Sequence, residues 1–411
     1  KTIYKQLLNT DTNWQEIIFD GGWINNHSFG ARGGNEDTKF SIALNYLKDE
    51  GVLLTDEYDK YSIKAKIEHD FSDKFTMGVS ITPSHTKRRR FDGSAHDILR
   101  QPSWLPVYVN ENNIQFVNRL RENGKYANVQ IGDYATQRMF DDYDLVAGAP
   151  VASGGTDISN TSNTNPAAKV LERKYMYYKY KVLGSLFAKY KINDDLSFKT
   201  TMSGSTQYER RDRYQGILAH RNGASNSQLD STTIRRYHWA IDNVLSYNKT
   251  SGDHDISAVL GASAEKQRYE YSTQRGSRFE NDSNRTMAAA ESVSDITGYE
   301  YVNTLLSYFA RVNYAYSDKY LASVSARRDG SSVFGPDTKY GNFLAGSLGW
   351  NVYKEDFLAD SDVINNLKLR ISYGVTGNNS FDTGSDLIDN FPYLALLSST
   401  NTSAVTGGAV T

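Results

Sequence analysis

Residues 61–82, YSIKAKIEHDFSDKFTMGVSIT, are two alternating arms around a tight turn. In the first arm Tyr61, Ile63, Ala65 and Ile67 fall on one face, with Ser62, Lys64, Lys66 and Glu68 on the other. In the second, Phe75, Met77, Val79 and Ile81 oppose Thr76, Gly78, Ser80 and Thr82. Successive side chains of a strand point to opposite faces. The segment is therefore a hairpin with one apolar and one polar face, turning at Ser72-Asp73-Lys74.

The same device repeats in KYKVLGSLFAKYKI before Asn193-Asp194-Asp195, in YHWAIDNVLSYNK before Ser251-Gly252-Asp253, and in LLSYFARVNYAY before Ser317-Asp318-Lys319. Alternation predicts about twelve strands: 24–33, 38–49, 58–71, 74–88, 174–192, 195–211, 234–249, 254–271, 300–317, 319–329, 340–353 and 366–377. Composition agrees, because 29 Tyr and only 7 Pro in 411 residues suit pleated surfaces. No stretch reaches the ~20 apolar residues of a membrane helix, which excludes a helical membrane protein. With no Cys there is no disulfide, thiolate zinc site or cysteine nucleophile. The 46 basic against 48 acidic residues give no overall field to attract nucleic acid.

The connections sort by length. Those at 34–37, 72–73, 193–194, 250–253 and 318 are short, and alternate with longer ones at 50–57, 89–173, 212–233, 272–299 and 330–339. Only 354–365 breaks the order, and a tail runs from 378 to 411. An up-and-down meander with tight turns at one end and large loops at the other is the layout of an outer-membrane barrel. The expected fold is all-β, an antiparallel up-and-down transmembrane β-barrel. Runs such as 174–192 exceed the ~9–11 residues that cross a bilayer, so the wall is expected to stand above it. Tyr175, Tyr177, Tyr178, Tyr180, Tyr190, Tyr314, Tyr316 and Tyr320 bunch at strand ends as an interfacial girdle would.

Within the long connection 89–173, an expected extracellular loop region, QPSWLPVYV (101–109) has the apolar content to pack, whereas Val151–Asn165 is Ser/Thr/Asn/Gly-rich. Trp104, Tyr108, Tyr134 and Tyr143 are candidate ligand-binding residues, since flat aromatic faces cover the apolar faces of sugar rings; the alternative is a small core holding the loop. Arg311, Arg327, Lys368 and Arg370 take the polar, lumen-facing parity. The acidic run Asp141, Asp142 and Asp144 offers oxygen ligands for calcium but lacks the EF-hand spacing, and reads as a solvated loop. The seven His residues form no HExxH motif or close pair. GGNE (33–36) and DGSS (329–332) read as turns. The run Lys87-Arg88-Arg89-Arg90 ends a strand at the expected outer rim, where cations face lipopolysaccharide phosphates. No catalytic residue, metal ligand or cofactor site stands out.

NWQEIIF (13–19), ARGGNEDTKFSIALNYLKDEGV (31–52), RVNYAYSDKYLASVSARRDGSSVFGPDTKYGNFLAGSLGWNV (311–352), EDFL (355–358), LKLRISYGVTGNN (367–379) and YLALLSSTN (393–401) resemble the SusC/RagA-type TonB-dependent outer-membrane transporters of Bacteroidota. The resemblance implies about twelve strands of a larger, roughly 22-stranded barrel, without enzymatic activity. It also implies active import of an oligosaccharide or peptide, a SusD-like surface lipoprotein as lid, and drive from TonB-ExbB-ExbD through a plug and TonB box. Those parts and the closing strands are expected outside this chain, which reads as an internal barrel segment, 1–411, in lipid and lipopolysaccharide. Nucleic acid is not an expected partner. Two rivals remain: a secreted soluble β-rich enzyme acting on glycans, with the apolar faces buried, and a self-closing passive porin, with strand 24–33 paired to strand 366–377.

Overall fold

A computed structural model describes residues 9–93, 95–157, 165–219, 226–358, 363–380 and 390–393, with the pairs 405–406 and 409–410. His220, part of Val151–Asn165 and most of the 378–411 tail lie outside them. Twelve strands form one sheet in strict chain order: β1 (Trp23–Gly34), β2 (Thr38–Glu50), β3 (Glu57–Ser72), β4 (Phe75–Arg90), β5 (Arg173–Lys191), β6 (Leu196–Gln215), β7 (Gln228–Ser251), β8 (His254–Phe279), β9 (Ala290–Tyr316), β10 (Tyr320–Ser331), β11 (Tyr340–Asn351) and β12 (Lys368–Gly374). Every neighbouring pair is antiparallel. Turns at 35–37, 73–74, 192–195, 252–253 and 317–319 share one end; connections at 51–56, 91–172, 216–227, 280–289 and 332–339 share the other. The exception, 352–367, folds onto the tight-turn end. There the Glu355 carboxylate accepts from Trp350 Nε1 (2.9 Å) and Tyr320 Oη (2.8 Å), which hold it below the usual carboxylate range.

The two rivals fail on this arrangement. Among the described residues β1 and β12 are the open edges of the sheet and do not pair with each other, as a self-closing twelve-strand porin requires. A soluble sandwich requires a buried apolar face, yet Ile63 is 43%, Ile67 49%, Val324 62% and Ile371 71% exposed. An apolar face this wide and uncovered matches hydrocarbon. On β4 the outward series runs Phe75, Met77, Val79, Ile81, Pro83, His85. Ten steps at ~3.3 Å, tilted ~40°, span ~25 Å, the height of an outer-membrane apolar band.

A ring row bounds this stretch on the long-loop side. His27, Tyr46, Tyr61, His85, Tyr180 and Tyr208 oppose one another across β1–β6, with centroids 6.2, 4.8, 6.4, 4.4 and 6.4 Å apart. In register, Arg235 continues the row, its guanidinium 6.0 Å from the Tyr208 ring. At the tight-turn end Phe71 and Phe75 (5.7 Å) and His254 and Tyr316 (5.1 Å) form the opposite border.

The strands outrun the band. β8 has 26 residues and β9 has 27, where alternation marked only 254–271 and 300–317. A 26-residue strand at the same rise and tilt climbs ~65 Å, so more than half of it lies beyond the lipid. The predicted loop 272–299 therefore shrinks to 280–289, and 212–233 to 216–227. Both faces of these extensions meet water, which removes the apolar alternation while leaving the backbone ladder intact. The predicted girdle also needs correction. Tyr180, Tyr190, Tyr314, Tyr316 and Tyr320 point outward, but Tyr175 and Tyr177 share the parity of Lys179 and turn to the lumen.

The main hydrophobic core lies in the 91–172 connection. Helix α1 (Trp14–Ile18), capped by the Asn13 side chain, inserts Trp14 and Ile18 among Ile98, Trp104, Leu105, Val109, Phe140, Tyr143 and Val170. Helix α2 (Pro166–Glu172) starts at Asn165, which accepts from Ala168 N and donates Nδ2 to Val107 O (2.7 Å) and Ala135 O (2.9 Å). Asn118, fully buried, donates to Asp141 O (2.9 Å) and Val151 O (2.8 Å). Single amide side chains thus join three backbone segments each.

Two outcomes follow. Val324→Arg, outward and midway between Tyr320 and Arg328, should lower barrel stability by ~2–4 kcal/mol in urea titration from vesicles. The same change at the inward Ser323 should cost less than ~1 kcal/mol. Phe140→Ala should destabilise the loop subdomain by ~3–5 kcal/mol, seen as new proteolytic cuts within 91–172 while the strands stay protected.

Candidate functional site

The four aromatic candidates divide. Trp104 (8% exposed) and Tyr143 (6%) are part of the loop core and present no open face. Tyr108 and Tyr134 are joined by a β-bridge with rings 5.0 Å apart. The Tyr134 hydroxyl donates to the Glu172 carboxylate at 2.9 Å, and burial first, then that carboxylate, push its pKa well up. Tyr108 keeps an exposed face. The acidic run is bound internally: Asp142 and Asp157 pair with Arg121, buried Asp141 lies 3.8 Å from Arg121, and Asp144 accepts from the N–H groups of Val146 and Ala147. Those two donors, Ala147 foremost, hold the Asp144 carboxyl below its ordinary range.

Arg311, Arg327, Lys368 and Arg370 share the inward face without forming one cluster. Arg311 opposes Ser325, Arg327 opposes Phe343, and Arg370 opposes Gly349. Arg311 Nε donates to Asn313 (2.9 Å); Arg327 donates to Asp329 (2.7 Å) and to Ser307 Oγ (3.0 Å). Arg327 also lies 5.8 Å from the Phe309 ring, which rests on Gly261 of the next strand. A Cβ there would sit 2.2 Å from that ring, so only glycine lets the ring lie flat on the wall.

A dense group on the lumen face begins at the level of the ring row and extends beyond it, on β4–β9. Lys179 (3.3 Å), Arg211 (2.6 Å) and Arg236 (3.9 Å) converge on the buried Glu209 carboxylate. Asp92, the second residue after β4, takes Arg213 through two bonds of 2.8 and 2.9 Å and lies 3.9 Å from Arg173. Tyrosines interleave with these cations: Tyr177 is 5.4 Å from the Arg211 guanidinium, Tyr175 is 5.9 Å from Arg213, and Tyr269 is 4.9 Å from Arg236. Tyr299 and Tyr301 flank Tyr269 at 6.0 and 4.9 Å. Sequence reading missed this group because Tyr175 and Tyr177 read as girdle, Tyr299 as loop, and Tyr301 as no more than the start of strand 300–317. The parity of Lys179 with Tyr175 and Tyr177 carried the signal, but nothing local marks Asp92, 121 residues from Arg213.

An open, aromatic and cation-bearing wall can bind and guide a solute. No family model matches the chain. It is 29% identical over 381 residues to the TonB-dependent receptor P3 of Formosa agariphila, covering 90% of this chain and 34% of that protein. It is 25% identical over 394 residues to the TonB-dependent receptor SusC of Bacteroides thetaiotaomicron, covering 95% and 36%. The chain thus spans about a third of the length of the curated relatives it matches. A solved structure of the RagAB peptide transporter has the same fold, with a TM-score of 0.73 at 18% identity, covering 98% of this chain and 41% of that one. These relatives are named as receptors and a transporter. Over nine-tenths of its length the chain is thus similar to TonB-dependent receptors of Bacteroidota, and it shares the fold of the corresponding part of the RagAB transporter.

Proposed function

We propose that this chain forms about half of the wall of an importer that moves a nutrient, an oligosaccharide or a peptide, across the outer membrane at the expense of TonB-ExbB-ExbD. The observation that carries the reading is a wall standing far beyond its lipid band, with a packed subdomain and a lumen-facing cation–tyrosine surface at the same end. A diffusive pore needs neither. The long connections then lie outside the cell, where cargo first arrives, and the tight turns face the periplasm. The plug and TonB box belong to the remainder of the protein.

In the mechanism, cargo meets the inward face above the plug, a SusD-like lipoprotein closes over the 91–172 subdomain, and the pulled plug opens the path inward. Leu99, Leu120, Ile131, Leu145 and Val146 project as exposed aliphatics from that subdomain, Val146 at 98%. Exposed apolar groups in such number suit a protein cover. Lys87 and Arg89, outward and beyond His85, face the height of lipopolysaccharide phosphates.

Two measurements test this. Cells carrying the full-length receptor should accumulate labelled cargo only while TonB is present, and accumulation unchanged by tonB deletion would overturn the proposal. Leu145→Asp with Val146→Asp should reduce co-purification of the lid lipoprotein by at least about tenfold, since each buried aliphatic contributes ~1.5–3 kcal/mol.

A further inference from the structure

We infer that the solute this wall selects is an anionic oligosaccharide, a chain of sugar rings carrying carboxylates or sulfate esters; the inference rests on the import reading above. On the inward face, from the level of the ring row outward, five cations share two carboxylates. Lys179, Arg211 and Arg236 turn to Glu209 alone, while Arg173 and Arg213 turn to Asp92. Arg90 joins them with its guanidinium 6.0 Å from the Tyr175 ring. Nearer the loops the balance reverses once, where Arg275 is held by Asp230 (2.5 Å) and Asp295 (2.7 Å). The seven cations named here turn to four carboxylates, so these pairings leave more positive than negative charge among them.

A carboxylate that faces three cations neutralises one of them. The remaining repulsion persists at the few-ångström separations of adjacent strands, and an arriving anion relieves it. The cations remain reachable: the side chains of Arg211, Arg213 and Arg236 are 37, 42 and 37% exposed. Among the described residues Arg173 Nε is buried without a hydrogen-bond partner. Guanidinium forks match the two oxygens of a carboxylate or sulfate in one plane. Tyr177 beside Arg211 and Tyr269 beside Arg236 add flat ring faces between the forks. Sugar rings with acidic substituents present that alternation of apolar face and anion. An acidic peptide supplies the charge without the flat faces.

The test uses the full-length receptor in detergent and calorimetric titration with three octasaccharide probes: a neutral maltooctaose, an oligogalacturonate and a chondroitin sulfate fragment. Binding is expected for at least one anionic probe and not for maltooctaose, with affinity falling as salt rises. Arg211→Gln with Arg236→Gln should weaken it at least about tenfold, the loss expected for one charge-assisted hydrogen bond. Arg210→Gln, on the same strand but outward and paired to Asp212 at 2.6 Å, should leave it unchanged. If the double variant fails to fold, Arg211→Lys keeps the charge and removes the fork, and should weaken binding less than Arg211→Gln. Binding of maltooctaose alone, of a glutamate octapeptide in place of the sugars, or of no anionic probe overturns the inference. So does an equal loss in Arg210→Gln. TonB-dependent accumulation of a neutral sugar would do the same while leaving the import reading intact, whereas loss of all TonB dependence would remove the import reading instead.

Discussion

Half of the side chains on twelve consecutive strands have no protein to bury against, and the rest of the structure follows from that constraint. Strand pairing transmits it, because a one-residue slip would exchange the lipid face for the lumen face along an entire strand. The ladder shows where slips are allowed. The register of β8 against β9 shifts between Thr273 and Arg275, past the row that Arg235 continues, and that of β3 against β4 shifts between Asp70 and Ser72, at the turn. Between these places pairing runs without a shift, even across Pro83, which has no N–H to donate.

The same constraint moves the protein's core away from its sheet. One face of the sheet meets hydrocarbon and the other a lumen, so neither can build a packed interior. The main dry interior forms where the chain folds back on itself, in 91–172, and a smaller one where Tyr214, Leu229 and Phe279 meet beyond the lipid band. Trp14 Nε1 donates to Pro102 O at 3.1 Å and Thr12 Oγ1 to Leu105 O at 2.7 Å, tying the segment before β1 to that subdomain. Leu54 N bonds Ile18 O at 2.9 Å, which brings in the β2–β3 connection. The long-loop end is thereby a folded body, where isolated loops would leave backbone groups to water.

What was legible in the sequence tracks this division. The twelve strands, their order and the parity of Arg311, Arg327, Lys368 and Arg370 could be read because lipid on one side forces a period of two. The reading stopped where both sides are wet: the polar ends of β8 and β9 carry no alternation, although their hydrogen bonds continue. It also stopped at the aromatic residues, because a Tyr suits a girdle, a lumen wall or a core equally well. Only neighbours distinct in sequence decide among these: Glu172 for Tyr134, Arg211 for Tyr177, Phe116 for Tyr143.

The lumen cations show how height along one wall changes what a charge is free to do. Lower down, two inward arginines are satisfied on their own or an adjoining strand: Arg311 by Asn313, Arg327 by Asp329 and Ser307. At and beyond the ring row, the arginines of β6 and β7 share too few carboxylates, and one of those, Asp92, comes from the connection into the loop subdomain. The fork of Arg213 on Asp92 therefore joins the wall to the subdomain at the point where the wall is most positive.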